Sequence, residues 1–324
     1  MFQKNPKSKR INPFGKIYQD RDFKTVLGHK YKLPSFPYLI DIELTNYCNL
    51  NCIFCGQQAM KRPKGLMSEK TFKKVADECA KFKTPIRFIR WGEPFLHPKI
   101  VEFVKYTKAK GLIVHITNNG LAIKDRQIEE ILETGVDSLI FSFQGATKKQ
   151  YELMRDNNRY DELKANVLKM VEKRGTNEKP FIHISSTMTD ESEKEIAHFA
   201  DYWSKIVDSV GIGKTNLSRL DGLQMESSEA AEKLRIVKKQ ETLKKYYSPC
   251  TEVYQKLSVN WDGKISCCCG DFDNFLLVGD INKTSLEKIW ENSYELKVFR
   301  DLLDRRMHRS LTLCSTCYST YEEF

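Results

Sequence analysis

Three cysteines fall within eight residues in the stretch Cys48-Asn49-Leu50-Asn51-Cys52-Ile53-Phe54-Cys55, which directly follows an apolar run at 38–44. Three thiolates that converge from one short loop can hold a metal ion or a cluster, but they supply one ligand fewer than a structural zinc site needs. An iron–sulfur cube held by three protein thiolates keeps one iron open. The stretch therefore predicts a cluster whose open iron can take part in chemistry.

The composition is that of an ordinary globular enzyme. The 324 residues include no apolar run long enough to span a bilayer, and positions 1–7 lack the apolar core of a signal peptide, so we expect a cytoplasmic protein. Ten cysteines in that compartment do not form a disulfide framework, and their clustering indicates ligation. Only Cys79 stands alone, and its place in a helical pattern predicts a small core residue.

The net charge of +10 is compatible with several partners, among them nucleic acid, an acidic lipid surface, a phosphorylated substrate and an acidic electron-transfer protein. Much of the charge lies near the N-terminus and on predicted helix faces such as 238–245, where it is typical of solvated surface. No RNA-recognition signature or helix-turn-helix pattern accompanies it, so we predict no nucleic-acid partner.

Six strand-plus-helix units follow one another between residues 38 and 213. The pattern predicts strands at 38–44, 85–91, 112–116, 138–143, 180–187 and 209–213, with helices at 69–82, 99–110, 125–134, 148–154, 161–174 and 191–206. Such alternation favours a parallel sheet with helices outside, curled in one direction by right-handed crossovers. A closed eight-fold barrel needs two more units, so we expect an α/β fold, a partial (β/α)6 barrel of the TIM type.

The chain divides into four predicted regions: a basic N-terminal arm at 1–36, the barrel at 37–216, a linker and charged helix at 217–247, and a small C-terminal α+β domain at 248–324. The last region carries six cysteines and a hairpin signal in which Asp262-Gly263 joins two strands. In the barrel, the unusual residues lie at the C-terminal ends of strands, namely at 48–55, 91–94, 118–120, 142–145 and 185–187. Those ends form one rim in parallel barrels, and we expect the chemistry there.

The spacing of Cys48, Cys52 and Cys55, with the aromatic Phe54 before the last cysteine, resembles the CxxxCxxC signature of the radical S-adenosylmethionine (radical SAM) enzymes. The resemblance implies a six-unit partial barrel, a 4Fe–4S cluster on these three cysteines, and S-adenosylmethionine (SAM) at the open iron. Reductive cleavage of SAM in such enzymes gives a 5′-deoxyadenosyl radical that abstracts a hydrogen atom from substrate. A flavodoxin- or ferredoxin-type protein is the implied electron donor.

The same resemblance implies contacts to SAM from the rim. Family members carry a Gly-Gly-Glu-Pro stretch after the second strand, which receives the methionyl amino group. Here it reads Trp91-Gly92-Glu93-Pro94, so Glu93 is the implied partner of the ammonium group and a tryptophan replaces the first glycine.

Three further rim residues complete the implied SAM site. Ser142 matches the position from which relatives contact the ribose or carboxylate of SAM, and Arg155 matches an arginine whose planar fork pairs with that carboxylate. Asn118 faces the same rim. Relatives often carry an aspartate where this chain has Gln144, so contacts there are expected to differ. The sequence identifies no catalytic base.

Four C-terminal cysteines, Cys250, Cys268, Cys314 and Cys317, resemble the SPASM/twitch appendage of radical SAM enzymes in its short form, with one auxiliary 4Fe–4S cluster. The full form has further cysteines after the final pair, and only seven residues follow Cys317. A four-cysteine zinc site is the alternative, because two cysteines separated by two residues are equally typical of zinc.

The run Cys267-Cys268-Cys269 offers more cysteines than one ligand position needs. In an extended strand Cys267 and Cys269 face one way and Cys268 the other, so the three cannot all be ligands. The spacing favours Cys268, with Cys269 as the alternative.

A cluster with four protein ligands has no open iron for substrate, so its natural role is an electron path. Hydrogen abstraction from a carbon that bears a hydroxyl, followed by loss of one electron and a proton, makes a carbonyl. The cysteine intervals resemble those of the twitch-type dehydrogenases that oxidise an aminocyclitol alcohol. We therefore expect oxidation of a hydroxyl on a sugar, a cyclitol or a similar polar metabolite.

Three other functions remain open. A peptide or protein maturase is the first alternative, although the leader-binding winged domain of such enzymes is longer than the predicted N-terminal arm. An epimerase would need a hydrogen donor such as a rim cysteine outside the cluster motifs, and none is evident. A non-enzymatic, cysteine-rich protein that binds metal and nucleic acid is the alternative from another class.

Overall fold

The computed structural model describes residues 1–15, 33–215 and 250–317. The predicted linker and helix at 217–247 lie outside the described residues, as do part of the predicted N-terminal arm and the last residues of the C-terminal domain. In the part of the chain that the structure describes, no helix has the length and apolar character needed to cross a membrane.

Ten strands form a single sheet within the described residues. They are β1 (Phe2–Lys4), β2 (Leu39–Ile42), β3 (Ile86–Phe88), β4 (Val114–Asn118), β5 (Ser138–Ser142), β6 (Phe181–Met188), β7 (Ser209–Lys214), β8 (Lys256–Val259), β9 (Lys264–Ser266) and β10 (Leu277–Asp280). Their order across the sheet is β1-β7-β6-β5-β4-β3-β2-β8-β9-β10. Because β2 to β7 are parallel and consecutive in space, the predicted α/β barrel of six units is confirmed.

Eight α-helices are described, and six of them connect the barrel strands. They are α1 (Glu69–Phe82), α2 (Ile100–Ala109), α3 (Asp125–Glu133), α4 (Lys148–Arg155), α5 (Tyr160–Arg174), α6 (Glu193–Ser204), α7 (Leu286–Asn292) and α8 (Tyr294–Asp304). As predicted, Ser68 caps α1, since its hydroxyl accepts a hydrogen bond from the Thr71 amide at 3.1 Å.

The helices cover one face of the barrel strands, which leaves the other face concave. Phe72 of α1 packs edge-on against Phe88 of β3 and stacks on Phe103 of α2 with ring centroids 4.0 Å apart. Since side chains alternate along a strand, Arg87 points away from the helices. It forms a two-pronged ion pair with Asp41 of β2, at 2.7 and 2.8 Å. The concave face is therefore polar where these two strands meet.

The N-terminal arm contains a strand that the sequence pattern did not predict. Residues Phe2–Lys4 pair antiparallel with β7 and extend the sheet at its edge. Three residues are too few to show an alternation of polar and apolar side chains, which is why the pattern missed them. Further along, Phe14 is buried edge-on against His115 at 4.7 Å, so the described part of the arm packs against the barrel.

The C-terminal domain continues the barrel sheet. β8 pairs parallel with β2, and the predicted hairpin forms, with β9 antiparallel to β8. Gly263 in the turn has a φ of +88°, a conformation that glycine adopts without steric cost. The separate small domain expected from the sequence thus shares a strand interface with the barrel.

Replacing Phe72 by alanine should lower the free energy of unfolding by about 3–5 kcal/mol, because the ring is fully buried between α1, α2 and β3. Urea unfolding followed by circular dichroism measures the change. Tyr294→Ala is the control, because its side chain is 75% exposed, and it should stay within about 0.5 kcal/mol of the wild type. Equal losses in both variants would contradict the assigned packing.

Candidate functional site

The three cysteines of the opening stretch follow β2 in a tightly turned loop. The amide of Cys55 donates to the carbonyl of Cys52 at 3.0 Å, which curls the chain so that the sulfurs neighbour one another. Burial raises the pKa of the Cys48 thiol to about 11. It also raises that of Cys55 to about 12, with a further contribution from nearby Cys52. These thiols stay neutral unless a cation such as cluster iron stabilises their thiolates, which is the chemistry expected of a ligand set.

Arg155 reaches the cysteine loop from the end of α4. Its Nη1 lies 3.4 Å from Sγ of Cys52, and its Nη2 donates to the backbone carbonyl of Ser142 at 2.9 Å. The guanidinium also stands over the Phe54 ring, 5.5 Å from the centroid. Phe54, Ser142 and Arg155, all predicted site residues, thus meet beside Cys52. The Nε of Arg155 is buried and has no hydrogen-bond partner, so it is an orphaned donor that a carboxylate could satisfy.

Glu93 is a buried carboxylate at the same rim. Its two oxygens accept hydrogen bonds from the amides of Phe95 at 3.1 Å and Asn119 at 2.7 Å. Burial raises its pKa to about 7 in spite of these bonds and of Arg155. A buried carboxylate whose pKa is raised gains from a cationic partner, so Glu93 is suited to an ammonium group.

Gly92 and Pro94 hold Glu93 in place. A Cβ added to Gly92 would lie 2.0 Å from the carbonyl oxygen of Thr45, so only glycine allows this close approach between the β3 loop and the cysteine loop. Pro94 begins a short 3-10 turn, Pro94–Leu96, which Glu93 caps through the Phe95 amide.

The structure brings Asn119 to the cysteine loop. Its side-chain amide nitrogen lies 2.8 Å from Oδ1 of Asn49 and 3.8 Å from Sγ of Cys48. The predicted Asn118 instead donates its side-chain amide to the carbonyl of Ile140 at 2.9 Å, and its Oδ1 accepts from the amide of Gly120 at 2.8 Å. The sequence placed residues 118–120 at the rim but singled out Asn118 and not Asn119 as a site residue.

Trp91 replaces the first glycine of the family stretch, and its side chain points towards the C-terminal domain. Its indole nitrogen donates to the carbonyl of Asp271 at 3.0 Å, and its ring meets Phe272 edge-on at 5.8 Å. The other departure, Gln144, is buried and bonds Thr187 and Thr215, so its amide ties β6 to β7. The two residues that differ from the family pattern, Trp91 and Gln144, are therefore both held by hydrogen bonds within the structure.

A second site lies in a cavity of about 470 Å3 beside the barrel. Five cysteines line it: Cys250, Cys268, Cys269, Cys314 and Cys317. Cys267 is buried in the hydrophobic core instead. The strand alternation does not extend to the triplet, because β9 ends at Ser266. Cys268 and Cys269, the two alternatives for the ligand, both line the cavity and Cys267 does not. A hydrogen bond from the Cys268 thiol lowers the pKa of Cys269, which favours a thiolate there.

The four predicted auxiliary ligands, Cys250, Cys268, Cys314 and Cys317, all line this one cavity. The cavity therefore brings together thiol donors of the kind that both predicted occupants, an iron–sulfur cluster and a zinc ion, require.

Two family models match the chain. The model described as the radical SAM superfamily matches residues 42–202. The chain belongs to the radical SAM superfamily. A second model, described as the SPASM iron-sulfur cluster-binding domain, matches residues 250–318. This radical SAM enzyme accordingly uses SAM and a 4Fe–4S cluster, with iron–sulfur binding also in its SPASM domain.

Individual relatives of this radical SAM enzyme cover different shares of it. The Pyrococcus furiosus protein named tungsten-containing aldehyde ferredoxin oxidoreductase cofactor-modifying protein is 30% identical over 166 residues, which is 50% of this chain and 46% of that protein. This chain thus matches less than half of that relative's length.

Two solved structures share its fold. BtrN in complex with AdoMet and 2-DOIA has a TM-score of 0.54 and 17% identity, covering 89% of this chain and 97% of BtrN. Streptococcus suis SuiB bound to precursor peptide SuiA has a TM-score of 0.64 and 15% identity, covering 83% of this chain and 67% of SuiB. At these identities the likeness shows the fold alone.

Replacing Glu93 by glutamine should weaken SAM binding by about 10- to 100-fold, because an ionised carboxylate bonds an ammonium group more strongly than an amide does. In the wild type, affinity should fall as the pH drops below about 7, where Glu93 becomes protonated, and the variant should lack this dependence. Titration of the reconstituted protein with SAM, followed by cluster EPR, measures both. Glu102→Gln, on the exposed side of α2, is the control and should bind as the wild type does.

Proposed function

We propose that this radical SAM enzyme oxidises a hydroxyl group of a sugar, cyclitol or similar polar metabolite, with the auxiliary cluster as the electron acceptor. One observation carries the proposal. The cavity that contains the five C-terminal cysteines is also lined by Arg87 and Ile89, which lie at or just after β3 on the concave side of the barrel. The auxiliary site therefore adjoins the barrel strands.

The arrangement accounts for both electrons of an alcohol oxidation. The SAM site supplies, when loaded, the radical that removes one hydrogen atom from the carbinol carbon. A cluster held by the C-terminal cysteines would supply a one-electron acceptor for the substrate radical, and a base would take the hydroxyl proton, so that the carbinol would become a carbonyl.

The concave face suits a polar substrate. Asp41 and Arg87 are paired there, and Lys256 of β8 adds a further cation within 4.0 Å of Asp41. His115 lies in register beside Arg87, and burial, aided by Arg87, lowers its pKa so that it is neutral at physiological pH. His115 and Asp41 are buried and already have partners, the imidazole at the Ser138 hydroxyl and against the Phe14 ring. Arg87 and Lys256 line the auxiliary cavity, and their cationic groups support a polar substrate there.

The predicted ligands keep their roles in this proposal. Cys48, Cys52 and Cys55 hold the SAM-binding cluster, while Cys250, Cys268, Cys314 and Cys317 hold the auxiliary one, with Cys269 as the alternative to Cys268. Glu93 and Arg155 bind the amino and carboxylate groups of SAM. A flavodoxin- or ferredoxin-type donor provides the first electron, and the net charge of +10 complements an acidic protein of that kind.

Peptide maturation is the second candidate. The observation that favours it is the fold of SuiB, which was solved with its precursor peptide and matches this chain at the higher TM-score of 0.64. The two candidates differ in the source of the abstracted hydrogen atom. If the oxidation proposal holds, a metabolite deuterated at a carbinol carbon should transfer deuterium to 5′-deoxyadenosine. If the enzyme is a maturase, only a deuterated peptide should transfer it.

Removing either cluster should separate the two halves of the reaction. Cys48→Ala/Cys52→Ala/Cys55→Ala should abolish release of 5′-deoxyadenosine with dithionite and SAM. At saturating SAM, Cys314→Ala/Cys317→Ala should keep that release but lose substrate oxidation, and its iron content should fall from about eight to about four per chain. Iron and sulfide assays with chromatography of the products measure these effects. Cys79→Ala, a core cysteine remote from both sites in sequence, should retain both clusters.

A further inference from the structure

The segment 268–273 of the C-terminal domain touches both flanks of the SAM site. It begins at Cys268, which lines the auxiliary cavity, and ends at Asp273 beside the barrel rim. Its conformation is fixed from within by Asp271, a fully buried residue whose carboxylate accepts from the Ser266 hydroxyl at 2.8 Å and from the amides of Phe275 and Leu276 at 2.9 Å.

The first flank is the strand end that precedes Gly92 and Glu93. Arg90 donates to the carbonyls of Cys268 at 2.9 Å and Asp271 at 2.8 Å, and to Oδ1 of Asn260 at 2.9 Å. Trp91 adds its bond to the Asp271 carbonyl. Arg90 has a φ of +149°, which a residue with a side chain rarely adopts, so these bonds hold the backbone in a costly conformation next to the SAM stretch.

The second flank is the chain that leaves the cysteine loop. Oδ1 of Asp273 accepts from the amides of Lys61 at 2.8 Å and Arg62 at 2.7 Å, and the carbonyl of Phe272 accepts from Nε of Arg62 at 2.8 Å. The Phe272 ring also closes over Gly56, where an added Cβ would lie 3.0 Å from it. Gly56 is the residue after Cys55, so this contact reaches the cluster loop itself.

Arg62 extends the second flank to β2. Its two terminal nitrogens grip both oxygens of Glu43, at 2.6 and 2.5 Å, and both side chains are almost fully buried. The cysteine loop is therefore held at its start through Glu43 and beyond its end through Asp273 and Phe272.

We propose that segment 268–273 couples the two cluster sites, so that a loaded auxiliary site positions the residues that bind SAM. A cluster held by Cys268 or Cys269 fixes the start of the segment, and the segment then holds Arg90, Trp91 and Arg62 in place. Asp273 is thus a positioning residue, which acts on SAM binding through Lys61 and Arg62 and not by contact with SAM. Because binding couplings are reciprocal, SAM should also help the protein retain its auxiliary cluster. This inference rests on the two cluster sites of the proposed function.

The first test removes the Asp273 acceptor. Asp273→Ala should bind SAM about 5- to 50-fold more weakly, a range typical of coupled sites, while its iron and sulfide contents and circular dichroism stay those of the wild type. Asp273→Asn keeps an amide oxygen that can accept both backbone hydrogen bonds, so it should recover most of the affinity. Asp280→Ala is the matched control, because that carboxylate accepts an amide hydrogen bond in a turn of the same domain.

The second test removes the auxiliary cluster through cysteines outside segment 268–273. Cys314→Ala/Cys317→Ala changes no residue of the segment and should weaken SAM binding about as much as Asp273→Ala does. Should Asp273→Ala fail to fold, Trp91→Phe tests the first flank, because it removes the indole nitrogen that donates to the Asp271 carbonyl and keeps an aromatic ring. Affinity is measured by SAM titration of the first cluster's EPR signal, without substrate.

The outcomes distinguish the coupling from the function. Unchanged SAM affinity in both Asp273→Ala and Cys314→Ala/Cys317→Ala would overturn the coupling, whatever the substrate proves to be. If affinity falls as expected but no alcohol transfers deuterium to 5′-deoxyadenosine, the oxidation proposal fails and the coupling stands. Faster loss of auxiliary iron to a chelator in the absence of SAM would support the reciprocal effect.

Discussion

The parallel pairing of β8 with β2 is the constraint on which the arrangement of both sites depends. β2 lies at the end of the barrel sheet and leads directly into the cysteine loop, so its outer edge would otherwise expose unpaired backbone groups. β8 satisfies that edge over four residues in register. The strand that ends at the SAM cluster is therefore the strand on which the C-terminal domain is built. Both cysteine sets are positioned by the same piece of backbone.

Strand alternation then decides what faces the barrel interior. With Phe88 packed on the helices, Arg87 and Ile89 face inward, and the same parity along β8 places Lys256 on the side of Asp41. Arg87, Ile89 and Lys256 all line the auxiliary cavity, and β8 stands beside β2 in the sheet. In the proposed function, the closeness of the auxiliary site to the barrel interior is a consequence of this strand pairing.

Much of the barrel could be predicted from the sequence, because the spacing of its apolar residues and the residues that begin and end its elements are distinctive. Ser68 indicates the start of a helix, and the polar residues after each strand indicate the rim of the barrel. The contacts between the two domains could not be read in this way. The sequence around Trp91 does not indicate that its ring contacts Phe272, about 180 residues later. Nor does the sequence around Asp273 indicate that its carboxylate accepts a hydrogen bond from the amide of Lys61. The sequence offered Cys269 only as the alternative to Cys268, since the direction of both side chains depends on where β9 stops.

The buried pair Arg62–Glu43 bears on how substrate can reach the interior. Removing one member of such a pair leaves a charge in a medium that cannot solvate it, at a cost of about 3–5 kcal/mol, although replacing both by apolar groups can be neutral. The pair therefore contributes orientation more than stability, and it fixes the guanidinium of Arg62 where its Nε donates to the carbonyl of Phe272. A hinge between the cysteine loop and the C-terminal domain would break that bond together with the two amide bonds to Asp273, and would leave a buried guanidinium nitrogen without an acceptor. Opening at this junction therefore has a cost that smaller movements of the rim loops do not have.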